Sequence, residues 1–266
     1  MLLLLRKWVV VSGILGATFF SFTQAVLANN DGGNEKKTVI FNISKQGYPP
    51  FMLPGDTENQ PSGIIYEILK KILSKQGLSV ETISIPKNRE QRYFELGYVD
   101  AHATAVEWID QPQNYVFSDP ILEIRNVVFS RADAPLQFQQ LENLIGKKLI
   151  TRLGFLYPPL TTLFETGKIG RQDTTSNLSM LKMVLGGRGD GAIMNDAVGA
   201  WIIKENQLSG QFVASYNSIT NYGYRIMFSK EWEFLITAFN QELNQMKQTG
   251  EIEEICARYG YAMPMN

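Results

Sequence analysis

Apolar and polar positions alternate in two distinct periods along the chain, and the switches between them mark out strands and helices. Thr38 to Ser44 (TVIFNIS) has strand composition. The loop Gln46-Gly47-Tyr48-Pro49-Pro50-Phe51 ends it, because two prolines cannot continue a ladder. Met52 to Ser62 reads as a polar hairpin turn. From Gly63 to Gln76, Ile64, Ile65, Ile68, Leu69, Ile72 and Leu73 recur at helical spacing and form one apolar stripe. Ser62 is the expected N-cap and Gly77 the stop. Leu78 to Ile85 alternates as a strand, and Pro86 to Arg89 opens a loop or helix that Arg92, Phe94 and Leu96 continue. Val99 to Thr104 is short, mostly apolar and bounded by turn formers, so it reads as a buried strand.

This β-α-β-α-β order predicts a parallel sheet with helices on its faces. Ile121 to Arg131 is a further extended stretch, after which the pattern restarts. Leu141 to Gly146 reads as a short helix, Lys148 to Thr151 as a strand, and Leu160 to Thr166 as a helix. Thr175-Ser176-Asn177 caps a helix from Leu178 to Gly186. Asp190 to Met194 reads as a strand and Ala197 to Glu205 as a helix. Tyr222 to Ser229 is a strand, followed by helices over Trp232 to Thr249 and Glu251 to Tyr259. The polar run Ser215 to Thr220 carries no clear period. Two β/α sets joined by extended strands predict an α/β fold of two lobes with a ligand cleft between them, closing by a hinge.

The start of the chain adds a compartment. Arg6 and Lys7 precede the apolar run Trp8 to Phe20, and Val26-Leu27-Ala28 offers a cleavage site, so residues 1–28 read as a secretory signal peptide. Residues 29–37 read as a flexible leader. The one cysteine, Cys256, permits no intrachain disulfide. Export without disulfides points to a soluble periplasmic protein with no lipid anchor. A formal net charge of −1 and no basic run argue against nucleic acid. The one histidine, His102, lies within the Val99 to Thr104 strand and reads first as a packed residue. No Cys/His cluster, phosphate loop or Gly-x-Ser-x-Gly motif occurs, so no cofactor and no metal are expected.

In an open α/β sheet, ligands bind outside the carboxyl ends of strands. That rule directs attention to Thr104, Glu107, Asp110 and Gln111 after one strand, Tyr48 and Phe51 after another, whose rings equally fit core packing, and Arg89 after a third. Arg89 there would clamp an anion, or else lie solvated on the surface.

The order and spacing of several short motifs resemble the family 3 extracellular solute-binding proteins, the polar amino-acid receptors of bacterial ABC importers. These motifs are Tyr48-Pro49-Pro50-Phe51, Gly97-x-Val99-Asp100-Ala101, Phe117-Ser118-Asp119-Pro120, Leu144-x-Gly146-Lys147, Gly186 to Ala192, Tyr222-Gly223-Tyr224 and Gly250-Glu251-Ile252. The resemblance implies the type II periplasmic-binding-protein fold, each lobe a mostly parallel sheet flanked by helices. The first lobe would comprise residues 38–123 and 221–266, and the second 124–220. It also implies a monomer that captures a small polar solute and hands it to an ABC permease in the inner membrane.

The sequence departs from the amino-acid signature of that family. Gln111, or Pro112 with a different gap, stands where the resemblance implies an Arg for the ligand carboxylate, and Asn195 where it implies an acid for the ligand ammonium, with Asp196 serving only on a one-residue shift. Arg89 after Pro86 resembles a subgroup with a Pro-Trp-x-Arg motif, with Lys87 in place of the Trp, and Arg152 follows the Leu149-Ile150 strand; either Arg is a candidate to hold a carboxylate, and the Gly154-Phe155-Leu156-Tyr157 loop, with Phe155, resembles a loop of the same subgroup. Glu107 falls where many relatives carry a small hydroxyl residue. The ligand is therefore expected to be a non-standard amino acid, a small peptide, an organic acid or an amine. Two other functions fit the resemblance: a sensory ligand-binding module for a separate membrane protein, and a dehydratase-like enzyme using Glu107 or Asp110. The binding protein is favoured over the enzyme. If Gln111 and Asn195 are what exclude common amino acids, Gln111→Arg with Asn195→Asp gains α-amino-acid binding in a thermal-shift screen; no gain across the common amino acids would show that those two positions do not set specificity.

Overall fold

The computed structural model describes residues 38–55, 60–85 and 87–262; the signal-peptide and leader readings lie outside them. In chain order the elements are β1 (Thr38–Asn42), α1 (Ile64–Lys75), β2 (Ser79–Ile83), α2 (Lys87–Glu95), β3 (Ala101–Thr104), β4 (Tyr115–Phe117), β5 (Leu122–Arg131), β6 (Lys148–Arg152), α3 (Thr161–Glu165), β7 (Gly170–Thr174), α4 (Asn177–Leu185), β8 (Gly191–Asn195), α5 (Asp196–Glu205), β9 (Phe212–Ala214), β10 (Thr220–Ser229), α6 (Ile236–Gln248) and α7 (Glu251–Arg258).

The strands run in the order β2-β1-β3-β10-β5-β8-β6-β7, with β4 on β10 and β9 on β5. β1 pairs in parallel with β2 and β3, and β6 in parallel with β7 and β8. β10 joins the two parallel sets. Its Thr220 to Tyr224 half lies antiparallel to β5, and its Arg225 to Phe228 half antiparallel to β3.

The period of two along the strands sorts side chains between helical layers. Ile226 and Phe228 join the core under α1, α6 and α7 with Phe41, Ile68 and Phe239, whereas Met227 faces Phe94 of α2. In the second sheet Val128 and Ile193 face a layer with Leu144 and Leu160, while Val127, Phe129 and Met194 face Met180 and Val184 of α4.

The motif residues explain how the ends of strands are held. Asp100 accepts the Ile40 N–H at 2.7 Å, fastening β3 beside β1. Ser118 accepts the Ile226 N–H at 3.0 Å and donates to the Asp119 carbonyl at 2.8 Å. The Pro-Pro loop is held by α1 itself. A helix leaves its first amides without internal partners, and here Ile64 and Ile65 donate to the carbonyls of Pro50 and Phe51 at 3.1 and 2.9 Å.

That arrangement corrects the expected cap. Gly63, not Ser62, is the N-cap, and it offers no side chain. Ser62 is instead drawn into a bridge with Leu53. Three strands escape the apolar period because they are short or polar: β4, β7 (GRQDT) and β9. Trp232 belongs to a 3-10 turn, Lys230–Leu235, that precedes α6.

Gly63 has φ +113°, and a Cβ there would lie 2.6 Å from the Phe51 carbonyl oxygen. Backbone cannot yield as a flexible side chain can. Gly63→Ala is expected to destabilise by about 2 kcal/mol or more, read as a fall of several degrees in thermal midpoint; an unchanged midpoint would show that the loop is not clamped to the helix.

Candidate functional site

The carboxyl ends of β1, β3, β6 and β8 bring Asn42, Thr104, Arg152 and Asn195 toward the region where the two sheets meet. The Pro-Pro loop supplies an aromatic wall. Phe51 has no exposed surface. It packs on Tyr224 at 5.6 Å and Tyr261 at 5.9 Å between ring centroids, and backs Tyr48 at 5.5 Å. Tyr48 is only partly buried and meets Tyr224 at 6.0 Å. From the loop after β3, the half-exposed Trp108 sets its ring 5.7 Å from Tyr222 and 6.1 Å from Tyr224.

Two carboxylates border this wall. Glu90 of α2 is partly buried, its Oε1 taking a hydrogen bond from Asn42 Nδ2 at 2.6 Å and lying 3.1 Å from His102 Nδ1. Its Oε2 has no hydrogen-bond partner among the described residues. Asp196 opens α5, where its Oδ1 accepts the Ala197 N–H at 2.7 Å and its Oδ2 lies 3.8 Å from Arg125. Burial raises the Asp196 pKa above the ordinary carboxylate value, opposed by that N–H bond and by Arg125.

The phenols respond to the same surroundings. Burial raises the Tyr48 pKa, with the Asp196 charge and Tyr157 adding to it. Tyr224 is raised well above the usual phenol value by burial, then by Tyr48 and Glu90. Tyr261 is raised by burial first and Asp196 second. All three stay protonated near neutral pH and can donate. The buried Tyr261 hydroxyl has no partner among the described residues.

The other candidates have plain local settings. Asn195 is buried, caps α5 by accepting the Val198 N–H at 3.0 Å, and donates to the Arg125 carbonyl at 3.4 Å. Thr104 is buried and donates to the Ala105 carbonyl at 3.2 Å. Arg152 is partly buried and donates to Asn177 Oδ1 at 3.5 Å. Phe155 is exposed in the next loop. Glu107 is exposed on a 3-10 turn. Gln111 is exposed with φ 53° and accepts from Asn114 at 3.1 Å. Arg89 is exposed on α2, one residue from the inward Glu90.

Residues 41–262 match the bacterial extracellular solute-binding proteins, family 3. The chain belongs to that family. Solved structures share the two-lobe fold. A histidine kinase sensor domain with similarity to periplasmic binding proteins is 23% identical, with TM-score 0.67, covering 87% of this chain and all of its own. An arginine third-transport-system periplasmic binding protein from Legionella pneumophila is 19% identical, with TM-score 0.64, 84% of this chain covered and 99% of its own. An ancestral amino acid-binding protein, a precursor of cyclohexadienyl dehydratase, is 19% identical, with TM-score 0.64 and coverages of 85% and 96%. No curated protein matches the chain. Members of this family are extracellular or periplasmic, and no helix among the described residues of this one is long and apolar enough to cross a membrane.

Sequence reasoning singled out neither Glu90, Trp108 nor Asn42, and it took Tyr222 and Tyr224 only as motif residues. The available signal was the phase of α2: a helix starting at residue 87 turns Arg89 and Glu90 to different faces.

Because the Asp196 carboxyl holds its proton to higher pH when folded than when unfolded, its ionised form destabilises the fold. That penalty grows as the pH rises from the unfolded carboxylate value through the raised folded one, and is complete above it. Asp196→Asn is expected to raise the thermal midpoint at pH 7, with the gain shrinking toward pH 4. A lowered midpoint at pH 7 would mean that the pairing with Arg125 outweighs desolvation.

Proposed function

We propose that this protein is a periplasmic receptor for a small polar solute bearing an amine, which it delivers to an ABC permease of the inner membrane. The observation that carries the reading is Glu90. One carboxylate oxygen is held by Asn42 and lies beside His102, the other has no hydrogen-bond partner among the described residues, and the group lies within electrostatic reach of Tyr224. A carboxylate within reach of Tyr224, whose ring packs on Trp108, suits an ammonium group by charge and by cation–π attraction. Asp196 adds a second acid within electrostatic reach of Tyr48, and the partly buried Tyr48 phenol offers a donor for the ligand's polar atoms. The amine is one of the ligand classes left open when Gln111 and Asn195 replace the charges of the amino-acid signature.

In this reading the lobes, residues 38–123 with 221–266 and residues 124–220, close on the solute about β5 and β10. On the same reading the chain binds its solute without covalent chemistry, and Glu107 and Asp110, the acids an enzyme reading would use, lie exposed. A second reading keeps the same receptor but gives it a membrane sensor as partner; the likeness to a histidine kinase sensor domain favours it.

The test is a thermal-shift and calorimetric screen with L-arginine, putrescine and choline against succinate as the anionic control. At 100 times its dissociation constant a true ligand stabilises by about 2.7 kcal/mol. Glu90→Gln should weaken the amine roughly tenfold to a hundredfold, the loss of one charge-assisted bond. Stabilisation by succinate alone, or undiminished amine binding by the variant, would refute the reading.

A further inference from the structure

The second sheet has another end. Arg152 and Asn195 close β6 and β8 at their carboxyl ends, whereas Lys148 and Gly191 open them. β5 runs antiparallel to β8, which brings Arg131, its last residue, to the same end as Lys148. Five residues of strand place this end about 13 Å from Arg152. There a groove of about 940 Å³ is lined by Arg131, Lys147, Lys148 and Arg188 over a floor that includes Pro135, Leu136 and Val184.

Its anions are already committed. Asp133 holds Arg131, with Nε to Oδ1 at 2.8 Å. Asp190 accepts the backbone N–H of Lys148 at 2.7 Å. The ammonium groups of Lys147 and Lys148 and the Arg188 guanidinium have no carboxylate partner among the described residues. In a chain of net charge −1, three unpaired cations beside the Arg131–Asp133 pair outweigh Asp190, the lining carboxylate among the described residues.

We propose that this groove binds an acidic, extended peptide segment of a protein partner, at a site separate from the ligand cleft. The groove is open to solvent, and its volume is far more than one small oxyanion fills. A cationic rim over an apolar floor complements a strand whose acidic and apolar side chains alternate. A membrane surface is flat and would meet only the rim.

The test is fluorescence anisotropy with a short fluorescein-labelled peptide of alternating glutamate and leucine, and its glutamine counterpart. The glutamate peptide should bind with an affinity that falls as salt rises, and the glutamine peptide at least about tenfold more weakly. Lys147→Glu with Arg188→Glu should abolish binding while leaving thermal stability and stabilisation by the cleft's amine probe unchanged. If that variant folds poorly, Lys147→Gln should still weaken binding. Absence of binding, equal binding of both peptides, or binding unaffected by the substitutions would overturn the proposal. So would full displacement by inorganic phosphate, the mark of a small-anion site, or capture by anionic phospholipid vesicles without peptide binding.

Discussion

The molecule depends on the antiparallel run of β10, which belongs to both sheets at once. Thr220 to Tyr224 hydrogen-bond to β5, and Arg225 to Phe228 to β3. The two halves share one strand, so neither sheet can shift in register without moving the other. Ser118 reinforces the changeover by bonding Ile226 on both its N–H and its carbonyl, and Arg225 reaches the Ser118 carbonyl at 3.4 Å. A ligand that draws the sheets together must therefore do so by twisting β5 and β10 along their length, since sliding is blocked. Tyr222 and Tyr224 lie on the twisting segment and form part of the aromatic wall. Their positions make the wall sensitive to the angle between the sheets.

Polar residues at strand ends serve two masters here, and backbone accounting separates them. Asp100, Thr104, Ser118 and Asn195 are all buried, and each satisfies itself against a main-chain group. Buried polar groups must be paired somewhere, so their burial alone signals structure. Glu90 differs because its partners are side chains and only one of its oxygens is engaged. The same distinction explains why Asn195 and Asp196, neighbours in sequence, have different settings: the first completes a helix cap, while the second keeps an ionisable oxygen beside Arg125 and within electrostatic reach of Tyr48.

Much of the architecture was legible because the long elements carry undiluted periods. The stripe of α1 follows from burial on one face, β5 and β10 read as extended runs because both their faces meet core layers, and the stops at Gly77 and Gly250 follow from their positive φ. β7 was not legible, because this edge strand buries none of its five residues fully and so carries no apolar face. The cap of α1 was misread because its amides are satisfied by carbonyls that lie twelve or more residues earlier in the chain, which no local pattern reveals. The site followed the same division. Tyr48 and Trp108 stand near strand ends, where the topological rule points. Glu90 was hidden by the unknown phase of α2, and Phe51, read as a candidate contact, has its ring wholly in the core.

Removing a carboxylate from water is unfavourable unless something answers it, and Asp196 is only partly answered: its pKa is raised despite a backbone N–H and Arg125. Tyr261 adds a buried hydroxyl without a partner among the described residues. The unfavourable term at Asp196, which lies within electrostatic reach of Tyr48 and Tyr261, is one that a polar guest can relieve. Relief on closing makes the guest bind the closed arrangement better than the open one, and only that difference can drive closure. A wall of fully satisfied groups would hold the same shape yet give a ligand no reason to favour it.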